Sequence, residues 1–358
     1  MKKSPNSLGH AVAAACLALF SVFPIAGASA QATPPTGLQV PAKTIQVPAT
    51  VSPQLQKIIG APLRTNWDLL PKTGEEWKPV ADAGAATTIK NLPGLLERLK
   101  VKIEKTTIDG VRAYIVTPES VAPENRNRQL VHMHGGCYVL NPGEAGLPEA
   151  VFMAGFGHIK VISVDYRMPP EAVFPAALDD GITVWKAALK TTDAKNMAIF
   201  GTSAGGALTL ELVLKAKRLG LPLPGAIAPG TPMSDVTKVG DSFYTNAMVD
   251  NVLVSPDGFC DAGAKVYANG HDMKDPLLSP VYGDMKGFPP TILTSGTRDL
   301  LLSNTVRVHR KLRQAGVEAV LQVYEGMSHA HYVRDDTAPE SKEAFEEIAG
   351  FFDKHLAK

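Results

Sequence analysis

At 358 residues, with 45% hydrophobic and 20% charged side chains, the chain can bury one large core or two modest ones. The formal net charge is +1 and no basic tract is present, which argues against nucleic acid and anionic membrane surfaces as partners.

Lys2 and Lys3 precede an apolar stretch from Ala11 to Ala28, and Ala28-Ser29-Ala30 offers small residues where a signal peptidase cuts. Residues 1–30 therefore read as a secretory signal peptide, predicting a periplasmic or secreted protein. Pro24 and the small-residue ending argue against a retained membrane anchor, and Ala13 spoils a lipobox ahead of Cys16. Cleavage leaves 34 basic against 35 acidic residues, a net charge of −1. The cysteines that remain are Cys137 and Cys260. Export permits a disulfide, but spacing does not dictate one, and two free, partly buried thiols are expected.

Residues 31 to about 54 carry Pro34, Pro35, Pro41, Pro48 and Pro53 and read as extended chain without a core of its own. That segment is either a disordered leader or a strap over a neighbouring surface or an active-site mouth. Helical patches follow between Leu55 and Leu99, so residues 31–100 form an N-terminal extension. From Val101 the texture changes. Val101–Ile108 and Val111–Val116 alternate around Asp109-Gly110, a strong two-residue hairpin signal. Strands are then predicted at 129–133, 159–164, 197–200, 225–228, 291–294 and 317–324. Helices are predicted near 176–190, 204–219, 303–315 and 340–356. This alternation predicts an α/β domain over 101–358, with a mostly parallel sheet and helices on both faces. Residues from about 234 to 280 break the rhythm and read as an insertion.

Gly201-Thr202-Ser203-Ala204-Gly205-Gly206 lies between the predicted strand and helix, where a G-x-S-x-G nucleophile elbow belongs. The turn is so tight that side chains two positions either side of the serine would collide. A serine hydroxyl needs a base, a carboxylate to orient that base, and donors for the oxyanion. The loop His134-Gly135-Gly136-Cys137 precedes the serine as an oxyanion loop should, and Ala204 opens the helix after it. His329, after the last strand, is the expected base, with His331 the rival. Asp299 is the expected acid, with Asp235 the alternative after the preceding strand. His-x-His pairs at 132/134 and 329/331 are weak evidence for a metal.

His134-Gly135-Gly136, Asp165-Tyr166-Arg167-Met168-Pro169-Pro170-Glu171, the Gly201–Gly206 run and Gly326–His329 resemble the bacterial hormone-sensitive-lipase-like esterases over residues 90–358. The resemblance implies an α/β-hydrolase core with a helical cap built from the N-terminal segment and the insertion after Asp235. It also implies no cofactor, a small-molecule ester as substrate and a homodimer. Carried onto this chain, the oxyanion donors fall on the N–H groups of Gly136, Cys137 and Ala204. His134 becomes structural, and Tyr166 and Arg167 buttress the loops. Cys137 stands where a third glycine is usual, so a side chain projects near the acyl site and narrows it. Thr202 replaces the commoner aspartate, as in a recognised branch of the family. Asn304 stands where many relatives keep an acid, leaving Asp299 the sole carboxylate of its loop. The expected activity is serine carboxylesterase on small to medium uncharged esters. A lactonase or amidase on the same triad and a non-catalytic binding protein are the alternatives.

Overall fold

The computed structural model describes residues 37–357. The signal-peptide reading of residues 1–30 lies outside them, as do residues 31–36. Residues 37–44 belong to a separate unit and are exposed, without helix or strand.

The main body begins at Ile45. Its first residues are tied down as a strap: the Thr50 hydroxyl donates to Glu325 at 2.7 Å, and the Ser52 N–H and hydroxyl each donate to Glu340 at 2.7 Å. Helix α1 (Pro53–Ile59) follows, capped by the Ser52 hydroxyl. Helix α2 (Gly74–Leu99) is capped by Thr73 and ends at Lys100 in the left-handed region, φ 52°. Pro79 and Pro93 lie inside α2, which is why the sequence showed only helical patches there.

Strands β1 (Val101–Ile108) and β2 (Val111–Pro118) form the expected hairpin. Asp109 and Gly110 both take positive φ, 45° and 88°, as a two-residue turn matched to the strand twist requires. Next come β3 (Gln129–Met133), α3 (Pro148–Gly157), β4 (Val161–Val164), α4 (Ala176–Ala188), β5 (Met197–Thr202), α5 (Ala204–Arg218) and β6 (Ala226–Gly230). Helices α6 (Ser242–Thr245) and α7 (Phe259–Ala268) occupy the segment before β7 (Thr291–Gly296). Helix α8 (Leu302–Gln314), β8 (Ala319–Tyr324) and α9 (Pro339–His355) complete the chain.

The eight strands form one sheet in the order β1-β2-β4-β3-β5-β6-β7-β8. Contacts of β2 with β1 and β4 are antiparallel; every pairing from β4 through β8 is parallel. Alternation along a strand sends successive side chains to opposite faces. Thus Met197 and Ile199 of β5 join a core beneath α4, α5 and α8, while Ala198 and Phe200 join another beneath α3 and α9. Burial on both faces explains the continuous apolar runs of the central strands. It also explains why α3 escaped the sequence reading. Its Ala150, Val151, Phe152, Met153 and Ala154 are all buried, so no polar stripe marks a helical period.

Candidate active site

Ser203 joins β5 to α5 with φ 64° and ψ −121°, a conformation that a side-chain-bearing residue seldom adopts. The glycines around it are demanded less by each other than by the end of β3. A Cβ on Gly201 would sit 2.1 Å from the Met133 carbonyl oxygen, and one on Gly205 only 1.9 Å from the same atom. The elbow is locked from the next strand as well: the Ser203 N–H donates to the Gly230 carbonyl at 2.9 Å, and the Met233 N–H donates to the Ser203 carbonyl at 3.0 Å. Thr202, in place of the usual aspartate, donates its hydroxyl to Glu149 at 2.6 Å, and its N–H donates to the same carboxylate at 3.1 Å.

His329 lies on the loop after β8. Its Nδ1 is 3.1 Å from Oδ1 of Asp299, which follows β7 and is fully buried. Oδ2 of Asp299 accepts the hydroxyls of Thr231 and, at 2.9 Å, Ser295, while Oδ1 also accepts the Leu301 N–H at 2.8 Å. Burial alone would raise the pKa of Asp299; His329 and these donors outweigh it and hold the group below its ordinary value. The ionised carboxylate therefore favours Nδ1–H on His329 and leaves Nε2 as the basic nitrogen.

Ser203 and His329 both line one cavity of about 700 Å³, together with Gly135, Gly136 and Cys137. Asp299 sits behind the imidazole, away from the cavity wall. Gly135 abuts the elbow, since a Cβ there would lie 2.7 Å from the Thr202 carbonyl oxygen and 3.3 Å from Cβ of Ser203. Gly136, Cys137 and Tyr138 take positive φ in succession, 128°, 53° and 64°. That path is held from behind: His134 stacks on Tyr166 at 4.1 Å, the Tyr166 hydroxyl donates to the His134 carbonyl at 2.6 Å, and Asn141 donates to the Gly135 carbonyl at 3.0 Å. His134 and Tyr166 thus have the supporting places expected of them. Arg167 instead clamps Asp180 of α4, at 2.7 Å. Ala204 puts its N–H in the first turn of α5, next to Ser203. The far wall of the cavity comes from α2 and from Asn251, Val252, Leu253 and Phe259. No residue of 45–54 lines it, so the strap covers the outer surface near Glu325 and Glu340 and not the mouth.

One expectation is overturned. Cys137 and Cys260 form a disulfide, with Cα atoms 5.2 Å apart, joining the glycine loop to α7 across 123 positions. The cysteine side chain is drawn toward α7 by this bond. The pairing was illegible in sequence because α7 reaches the loop only through the tertiary fold.

The rival residues have other work. Asp235 accepts from Arg307 at 2.6 Å and from Tyr282 at 2.9 Å. His331 is buried with Nε2 2.9 Å from Oδ1 of Asn251, and its Nδ1 accepts the Ser328 N–H at 3.2 Å. His132 bonds Ser163 and Glu149, at 2.9 and 3.1 Å. Sequence reasoning missed Asp250, which is fully buried and accepts four backbone N–H groups: Val252 and Leu253 at 2.8 and 3.0 Å, Leu300 at 2.8 Å and His329 at 3.3 Å. Nothing local distinguishes it, because two of its donors come from the loops after β7 and β8, 50 and 79 positions away.

Residues 130–333 match the family described as the alpha/beta hydrolase fold. An esterase from Acinetobacter venetianus is 30% identical over 253 residues, which is 70% of this chain and 82% of that protein. The crystal structure of an esterase called E25 is 45% identical and superposes with a TM-score of 0.86, covering 90% of this chain and 99% of that one. An esterase described as belonging to the bacterial hormone-sensitive lipase family is 28% identical, with a TM-score of 0.68 over 72% of this chain and 86% of its own. With the elbow, the buried carboxylate–imidazole pair and the glycine loop arranged around one cavity, this chain belongs to the alpha/beta hydrolases, among the bacterial hormone-sensitive-lipase-like esterases.

Proposed function

We propose that the protein is a serine carboxylesterase acting through an acyl-enzyme on esters of small to medium size. The observation that carries this reading is the strained Ser203 opening onto the same cavity as His329, whose Nδ1 is bound to buried Asp299. In this mechanism Ser203 Oγ attacks the ester carbonyl carbon while Nε2 of His329 takes the hydroxyl proton. The negative charge on the carbonyl oxygen rests on the N–H groups of Gly136, Cys137 and Ala204. The tetrahedral adduct collapses, the C–O bond breaks, and His329 returns the proton to the departing alcohol. Water, deprotonated by His329, then releases the acid. Relatives named as an esterase and, at 29% identity over 70% of this chain, an ethyl acetate hydrolase of Pseudomonas putida support the reaction class.

The decisive experiment is labelling with a fluorophosphonate followed by peptide mapping, alongside hydrolysis of a short-chain ester by Ser203→Ala. An adduct on Ser203 and loss of turnover are expected. Undiminished turnover by the alanine variant would refute the reading. We also propose export, supported by the signal-like residues 1–30 and by the Cys137–Cys260 bridge, which persists best in an oxidising compartment. A mature protein purified from its native source with Gln31 at its N-terminus checks this.

A further inference from the structure

The walls of the ester cavity carry more positive charge than they neutralise. Arg98, Arg64 and Arg334 line it, as do the acids Glu149 and Asp336. Both acids are engaged elsewhere: Asp336 grips Arg98 through two bonds of 2.7 Å, and Glu149 serves Thr202 and His132. That leaves Arg64 and Arg334. Among the described residues neither guanidinium has an acid within ion-pair distance or a hydrogen-bond acceptor, and the two repel each other. Asp250 attracts Arg334 at longer range but is saturated by its four N–H donors. Partial burial and the neighbouring charge of Arg334 push the Arg64 guanidinium below the ordinary arginine value, while Arg334 is exposed to solvent. Both stay charged.

The Arg64 side chain is positioned by packing, and Arg334 is placed by its main chain. Arg64 lies over the Phe259 ring at 4.0 Å, and its backbone N–H donates to the Asn251 carbonyl at 2.9 Å, which ties it to the cavity's far wall. Arg334 follows the short 3₁₀ turn His331–Val333, five residues beyond His329, and its N–H donates to the His331 carbonyl at 3.0 Å. Two guanidinium groups without an acid partner thus line one cavity, Arg64 half-buried and Arg334 open to solvent, and the planar fork suits a carboxylate entering from solvent.

We propose that Arg64 and Arg334 form an anion subsite, and that the preferred substrates are esters carrying a free carboxylate. This rests on the esterase reading and departs from the uncharged esters that the near-neutral sequence suggested. The ester carbonyl sits at Ser203 while the substrate's carboxylate bonds the guanidinium pair in the same cavity.

The test compares two series of aryl and alkyl esters. One carries the carboxylate at the end of the acyl chain, as in a monoester of adipic acid, the other at the end of the alcohol chain. Each is paired with its neutral primary amide. In at least one series the carboxylate member should win by about tenfold in kcat/KM, expressed in KM. In Arg64→Gln, Arg334→Gln and the double variant that ratio should fall toward one, a readout independent of the fraction of folded enzyme. A wild-type preference for the amides in both series, or a preference for carboxylate that survives in the double variant, overturns the subsite. If every ester is inert, the esterase reading fails instead. Calorimetric titration of Ser203→Ala with the same pairs then still decides, with tighter binding of the carboxylate expected and equal binding overturning it.

Discussion

The carboxylate of Asp250 accepts the backbone N–H of His329 at 3.3 Å, so a residue of the loop before α7 holds the proposed base by its main chain. The same oxygen accepts the N–H of Leu300, the neighbour of Asp299, at 2.8 Å. One buried group thereby fixes the spacing of the acid and base loops. Because all four of its partners are N–H donors, the geometry calls for the ionised form, against the upward push of burial and of Asp299 on its pKa.

Asp250→Asn places an NH₂ group against N–H donors. The expected result is a loss of about 1–3 kcal/mol of stability, the usual cost of an unsatisfied buried group. We further expect a fall in kcat of about 10–100-fold with KM little changed, since a misplaced imidazole harms proton transfer more than binding. Denaturant titration and steady-state kinetics on one preparation check this. Unaltered kcat in a folded variant would show that the acid and base loops hold their spacing without it.

Cys137 carries a proposed oxyanion donor on its backbone and is anchored to α7 through its sulfur. Removing the bridge by Cys260→Ala should lower stability by about 2–4 kcal/mol, given the long loop it closes. It should also lower kcat as the glycine loop loosens, with loss of one such donor worth about 10²–10³ as the upper limit. Reduction of the wild type should act in the same direction, and leave Cys260→Ala unaffected.

Gly205→Ala would drive a methyl group to 1.9 Å from the Met133 carbonyl oxygen, a backbone atom with nowhere to go. A loss above about 4 kcal/mol, or failure to recover soluble protein, is expected. Gly350→Ala, where a Cβ meets nothing within 4 Å on an outer helix, is the control and should raise the thermal midpoint slightly, since alanine gains up to about 1 kcal/mol over glycine in a helix.

Burial pushes His134 down to about 4 and His331 down to about 3, so both are neutral in the folded protein. Unfolded, each titrates near 6.5. Between these limits the unfolded chain binds protons that the folded one does not, so stability is complete above about pH 6.5 and drains as pH falls toward 4. For His134 the loss is on the order of 3 kcal/mol. In His331→Gln, which keeps an acceptor for the Ser328 N–H, urea midpoints measured from pH 7.5 to 4.5 should fall less steeply than in the wild type.

What the sequence by itself determined was whatever is enforced within a few residues. The period change from Met197–Phe200 to the helix after Ser203 marked the elbow, Asp109-Gly110 marked the hairpin, and the glycine pair at 135–136 marked the loop beside the serine. Each pattern answers a backbone demand that few residues satisfy. Tertiary structure decided the rest. It paired Cys137 with Cys260, set Asp250 under His329, moved Asp235 and His331 out of contention, and placed Arg64 and Arg334 on one cavity. These relations join segments separated by tens to hundreds of positions, and each depends on where whole elements pack. Chain-local chemistry carries no record of such distances, because side chains that meet only after folding leave no mutual pattern in the order of residues.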